Sequence, residues 1–193
     1  MIESSAPAMK GEKTKYRLAA AMKECMKTTP VDAITVRQIT ERCGVTRQTF
    51  YRNFLDKYDL INWYFDKLLL ESFAQMGDGL TVYEGLTRKF EFIQNERVFF
   101  AGAFRSDDHN SLKEHDYELI LNFYTQLIRR KTGRQPEENL LFPLQLYCRG
   151  SIDMTLEWIF APRERTPEQM AALLVSALPM PVTELFQQLG VLR

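Results

Sequence analysis

The sequence predicts an all-α fold, with a short three-helix unit at the N-terminus leading into a longer helical domain. Apolar residues recur three and four apart in almost every segment. No run alternates with the two-residue period of a half-buried strand. Polar caps, glycines and prolines divide the chain into helices of ordinary length.

The elements follow in order. Residues 1–9 are small and polar and are expected to be disordered. From Lys10 to Thr28, Tyr16, Ala19, Ala20, Met22 and Met26 keep helical spacing, and Thr29-Pro30 ends the segment because a proline disfavours helix in the residue before it. Thr35-Val-Arg-Gln38 reads as a capping box opening a short helix with Val36, Ile39 and Thr40, closed at Cys43-Gly44. Thr46 then caps a second short helix, Arg47 to Asn53. A longer helix starts near Asp56, carries Leu60, Trp63, Tyr64, Leu68 and Leu69, and ends near Gly77-Asp-Gly79. Further helices are expected at Thr81–Asn95, Arg97–Phe104, Ser111–Lys131 and Glu137–Phe160. Thr166-Pro167-Glu168-Gln169 opens another, and Pro179 and Pro181 interrupt the chain before a last segment, Val182–Leu189. Residues 10–56 are thus expected to form one unit and residues 57–193 a second.

Composition places the chain among globular proteins, with 45% hydrophobic and 26% charged residues. No stretch approaches the roughly 20 apolar residues of a membrane-spanning helix, and the N-terminus lacks the apolar core of a signal peptide, so a cytoplasmic location and no membrane partner are expected. Cys25, Cys43 and Cys148 are far apart and in no Cys-x-x-Cys pair, which fits free thiols better than a metal site or disulfides. The net charge is zero, but residues 1–60 carry 11 basic against 7 acidic side chains, a surplus of four, and the remainder a deficit of four. If a nucleic acid is bound, the basic part faces it.

Two short helices joined by a tight glycine turn make a helix-turn-helix, whose second helix enters the major groove of double-stranded DNA. The segment TVRQITERCGVTRQTFYRNF, residues 35–54, supplies each part. Ile39 and Val45 are placed to join the helices, and Phe50 and Phe54 to anchor the second in the core. Thr46, Arg47, Gln48 and Thr49 open the second helix with hydrogen-bonding side chains. Arginine pairs bidentately with guanine and glutamine with adenine, so this run can read sequence. Tyr51 and Arg52, one turn on, suit the phosphate backbone.

The run GVTRQTFYRNFLDKYDLI, residues 44–61, resembles the signature of TetR-type transcriptional regulators: a Gly-Val-Thr turn, then Tyr51 and Phe54 three apart, then Lys57 and Leu60. The likeness covers Lys10 to about Leu69. It implies phosphate contacts from Tyr51 and Lys57, with Arg37 of the supporting helix and Thr46–Thr49 of the reading helix facing DNA. Gln48 departs from the small residue often found at its position, so base preferences do not carry over. The resemblance further implies a homodimer on a pseudo-palindromic operator, with a C-terminal domain that receives a signal. The apolar helices Glu137–Phe160 and Pro167–Leu178 are candidates for the dimer face, or for the centre of a monomeric core. Tyr147-Cys-Arg-Gly150 with Trp158-Ile159 is similar to the subgroup containing activators of dihydroxyacetone kinase operons, which respond to a protein co-regulator. The signal is therefore a small-molecule effector or a protein partner. For the first, Phe100, Phe104, Phe123, Tyr124, Tyr147 and Trp158 are candidate pocket residues, although an aromatic-rich core yields the same list.

No enzyme, cofactor or metal site is expected. His109 and His115 are six apart and cannot share a helix face as ligands at i and i+4 do. With Asp107, Asp108, Glu114 and Asp116 they read as solvated charge and helix capping. A helical adaptor that has lost DNA binding is the alternative class. For it, Arg47 and Tyr51 would be dispensable.

Overall fold

The computed structural model describes residues 10–106, 109–161 and 165–192; the expectation for residues 1–9 lies outside them. The chain is 76% helical. Helices α1 (Lys10–Met26), α2 (Val36–Cys43), α3 (Arg47–Tyr51) and α4 (Lys57–Phe73) come first. They are followed by α5 (Val82–Asn95), α6 (Arg97–Ala103), α7 (His109–Thr132), α8 (Glu138–Phe160), α9 (Pro167–Ser176) and α10 (Met180–Gln188). There is no strand among the described residues, and no single helix there is long and apolar enough to cross a membrane.

Local chemistry sets the boundaries. Thr81 and Glu84 cap α5 reciprocally, as Thr166 and Gln169 cap α9 with Pro167 at its first position. Asp56 opens α4 by accepting from the amides of Tyr58 and Asp59. Two boundaries differ from expectation. A 3-10 turn, Val31–Ala33, follows Pro30 where no element was anticipated. The prolines near the C-terminus begin a helix rather than delay one: α10 starts at Met180 with Pro181 in its first turn, where a missing amide costs nothing. At Gly77, with φ of 82°, a Cβ would stand 2.4 Å from Leu127, so the turn between α4 and α5 needs glycine both for conformation and for space.

Packing is continuous from end to end. α1 lies against α2, α4 and α6; α4 runs on beside α5; α5 packs on α9; and α8 is flanked by α6, α7 and α10. Val82 of α5 donates its amide to the Val191 carbonyl at 2.8 Å, fastening the C-terminus to the middle of the fold.

Two ionic side chains lie in this core. Lys89 of α5 is 3% exposed and Asp116 of α7 is 4% exposed. This corrects the reading of Asp116 as solvated charge. The helical period explains it, since Asp116 falls on the inward stripe with Leu112, Ile120 and Tyr124. His115 also turns inward, its Nε2 lying 2.6 Å from Asp66 of α4. Burial raises the Asp116 pKa from 3.8 to about 6, against the opposing pull of Lys89 and His115 and with help from Asp66. The folded state therefore holds this proton more tightly than the unfolded chain. Its stabilising effect is complete below about pH 4 and lost as pH rises through about 6. Urea titrations from pH 4 to 6.5 should show the wild type losing about 2 kcal/mol relative to Asp116→Asn across that window. Parallel curves would show that Asp116 titrates normally.

Candidate nucleic-acid interface

The helix-turn-helix is assembled from reciprocal hydrogen bonds at its ends. The Gln38 amide donates to Thr35 Oγ1 at 3.3 Å, and the Thr35 amide to Gln38 Oε1 at 2.7 Å. Gly44 closes α2 at φ 68°, the left-handed conformation that lets the Val45 amide turn back to the Thr40 carbonyl at 3.0 Å. Thr46 then caps α3, accepting from the Thr49 amide at 3.1 Å. Arg17 of α1 donates to the Cys43 carbonyl at 2.9 Å and Arg42 of α2 to the Glu24 carbonyl at 3.2 Å, so α1 and α2 hold one another's C-terminal ends.

Packing fixes which side of α3 faces out. Phe50 is fully buried and Phe54 nearly so, their rings 5.9 Å apart. Ile39 is buried, and Val45 is half-buried against the same core. With Phe50 inward, Arg47, Gln48, Tyr51 and Arg52 project on the opposite side at i, i+1, i+4 and i+5 spacing, and all four are exposed, Tyr51 at 58%. Thr46 is exposed as well. Thr49 is half-buried, its hydroxyl 3.0 Å from that of Thr46. Arg37 on α2 is exposed beside this edge and paired with Glu41 at 2.6 Å. An exposed i, i+4 pair is worth only a few tenths of a kcal/mol, so it does not bar Arg37 from a phosphate.

Lys57 sits apart from these residues. Its ammonium donates to the carbonyls of Val31, Asp32 and Ile34 at 2.8, 2.7 and 3.0 Å. The Val31 carbonyl also accepts from the Ile34 amide at 3.1 Å, and Lys57 ties the 3-10 turn to the start of α4. Arg37, Thr46, Arg47, Gln48, Tyr51 and Arg52 are thus exposed and Thr49 half-buried, with Lys57 directed into the supporting backbone.

The six aromatic pocket candidates do not share a cavity. Phe100 and Phe104 flank a central void of about 10 Å³, Trp158 borders an open cleft of about 310 Å³ between α8 and α9, and Phe123 edges a groove on α7. Tyr124 packs against Tyr147 and against Phe186 of α10, and Tyr147 donates to the Leu174 carbonyl at 3.1 Å. Most of these rings are spent on packing.

Comparison with known proteins agrees with this geometry. Residues 18–63 match the model of the bacterial regulatory proteins of the tetR family, and residues 81–179 match a transcriptional regulator C-terminal region of the TetR type. A search of curated proteins finds no match. Among solved structures, the dihydroxyacetone kinase operon activator DhaS superposes with a TM-score of 0.66 at 19% identity, covering 93% of this chain and 98% of its own. NalD, the secondary repressor of the MexAB-OprM multidrug efflux pump in Pseudomonas aeruginosa, gives 0.63 at 18% identity, covering 90% and 96%. A TetR transcriptional regulator from Rhodococcus sp. RHA1 gives 0.52 at 15% identity, covering 89% and 98%. At these identities the structural likeness speaks to fold, while the family models cover both the helix-turn-helix and the C-terminal helices. The chain belongs to the TetR family of DNA-binding transcriptional regulators.

Proposed function

We propose that the protein acts as a homodimer on a pseudo-palindromic operator, with residues 10–56 holding DNA and residues 57–193 dimerising and receiving the signal. The observation that carries the DNA-reading part is the outward set on α3. A helix too short to stand alone is pinned by Phe50 so that Arg47 and Gln48 lead into the groove, while Tyr51, Arg52 and Arg37 reach the flanking phosphates. Lys57 serves this edge by positioning the backbone behind it.

An apolar face on α8 supports the dimer. Leu144, Tyr147, Ile152 and Ile159 point into the core, but Phe142, Leu146 and Met154 are 57, 60 and 46% exposed. They lie at i, i+4 and i+12 with exposed Gly150 between, and Leu173 of α9 is half exposed nearby. Such a stripe on a surface helix is the kind of patch that a second copy covers. Two symmetric reading helices would then address half-sites about 34–36 Å apart. The sign of regulation does not follow from the fold, since DhaS is described as an activator and NalD as a repressor.

Fluorescence anisotropy on DNA fragments from upstream of the protein's own coding region tests the reading. Arg47→Ala should weaken specific binding by about 1–3 kcal/mol, roughly 5- to 150-fold, with unchanged helix content. Affinity for the specific fragment should also fall steeply with salt. Sequence-independent affinity in the wild type, or full affinity in the variant, would favour the adaptor. In sedimentation velocity, Leu146→Glu should convert a dimer to a folded monomer; an unaltered dimer would place the interface elsewhere.

A further inference from the structure

Gly150 lies near the middle of α8, and nothing within the chain explains a glycine there. Inside a helix glycine costs about 1 kcal/mol relative to alanine, because it has more backbone freedom to lose. That cost is ordinarily offset by a positive φ or by a crowded neighbour. Gly85 of α5, for example, leaves room for Met76. Gly150 has neither: its φ is not positive, it is exposed, and a Cβ built on it would meet no neighbouring atom within 4 Å. Its surroundings on the surface are apolar. Phe142, Leu146 and Met154 stand eight and four residues before it and four after, on the row that every fourth residue of a helix forms, and all three are exposed. Trp158, eight residues after, turns inward and lines the open cleft of about 310 Å³ between α8 and α9 with Met154, Leu173 and Leu174. The row thus carries a projecting ring at one end and an apolar hollow at the other, equally far from Gly150.

We infer that the two-fold axis of the homodimer passes beside Gly150, and that Phe142 of each copy seats in the α8–α9 cleft of the other. The inference rests on the dimer reading above and deepens it by assigning the register of the interface and the occupant of the cleft. In an isologous contact the residue on the axis meets its own copy. A large side chain there would hold the two helices apart, whereas glycine lets their backbones approach. With the helices antiparallel about that point, Leu146 comes beside the partner's Met154, and the partner's Leu146 beside Met154. Helices that pack along rows of every fourth residue cross at about 50°. That angle carries Phe142, about 12 Å along the axis from Gly150, off the partner's α8 and onto its flank, where the cleft opens. The cleft suits a ring, being apolar apart from Glu157 and Arg165. Its wall is also set in advance, because Trp158 Nε1 donates to the Arg165 carbonyl at 2.9 Å.

Cysteine cross-linking of the full chain tests the axis. In a Cys43→Ser background, where Cys25 and Cys148 are buried, Gly150→Cys should form an intermolecular disulfide on mild oxidation, since that bond needs Cα atoms within about 7 Å. Arg149→Cys and Asp153→Cys, exposed but off the row, should not. Gly150→Leu should give a folded monomer, because its side chain meets open space within the chain. Sedimentation equilibrium tests the socket. Phe142→Ala removes the ring and Leu173→Trp fills the cleft; each should raise the dimer dissociation constant roughly tenfold or more. Together they should raise it no further than the stronger of the two, because they act on one contact. A wild-type dimer that forms no Gly150→Cys cross-link, or that Gly150→Leu leaves intact, overturns the axis. Additive effects of the two socket variants, or full dimer affinity in both, overturn the seating of Phe142 and leave the cleft to a small molecule. Either result leaves the dimer reading standing, whereas a monomeric wild type overturns both.

Discussion

The reading helix depends on the burial of Phe50. Five residues of helix have no stability of their own, because nucleation costs more than so few hydrogen bonds return. Phe50 is the one side chain of α3 that is fully enclosed, in a core with Leu18 and Met22 of α1, Ile39 of α2 and Leu60 and Ile61 of α4. That placement decides the direction of every other side chain on α3, so surface chemistry there is a consequence of packing beneath it. It also joins the two parts of the molecule, since α4 continues from this cage to Phe73, deep beside α5.

A second connection runs through charge. Lys23 of α1 donates to both carboxylate oxygens of Glu96 at 2.9 and 2.8 Å and to the Tyr64 hydroxyl at 3.2 Å. Burial works against the lysine's charge, but the bonds to Glu96 and Tyr64 outweigh it and raise its pKa. The exposed pairs Lys27–Glu24 and Arg37–Glu41 are equally short, yet solvent screens them and they add little. The half-buried Lys23 network ties α1 to α4 and to the junction of α5 with α6.

Much of this was legible in the amino-acid order. Thr35 with Gln38, Gly44, Thr46 and Thr166-Pro167 mark boundaries because capping is a matter of neighbours three residues apart, and the apolar period locates nearly every helix. The outward residues of α3 were legible for the same reason. What escaped depends on residues distant in the chain. Lys57 looks like any exposed basic residue until its 3-10 partner, some 25 positions earlier, is folded against it. Lys89 and Asp116 lie on apolar stripes, a clue available from periodicity alone, but charge invites a surface assignment. The aromatics were ambiguous in sequence, since pocket and core need the same residues; Tyr124 packs edge-on against Tyr147 and stacks on Phe186.

Glu41 gives the exposed edge of the helix-turn-helix an unexpected character. It places a carboxylate beside Arg37, in a chain whose charges sum to zero. Attraction to phosphate is indifferent to sequence, and a genome offers millions of wrong sites for every right one. A strongly basic regulator spends most of its molecules on those wrong sites. Glu41 offsets the charge of Arg37 at an exposed edge, in a chain with no surplus of positive charge to draw phosphate indiscriminately.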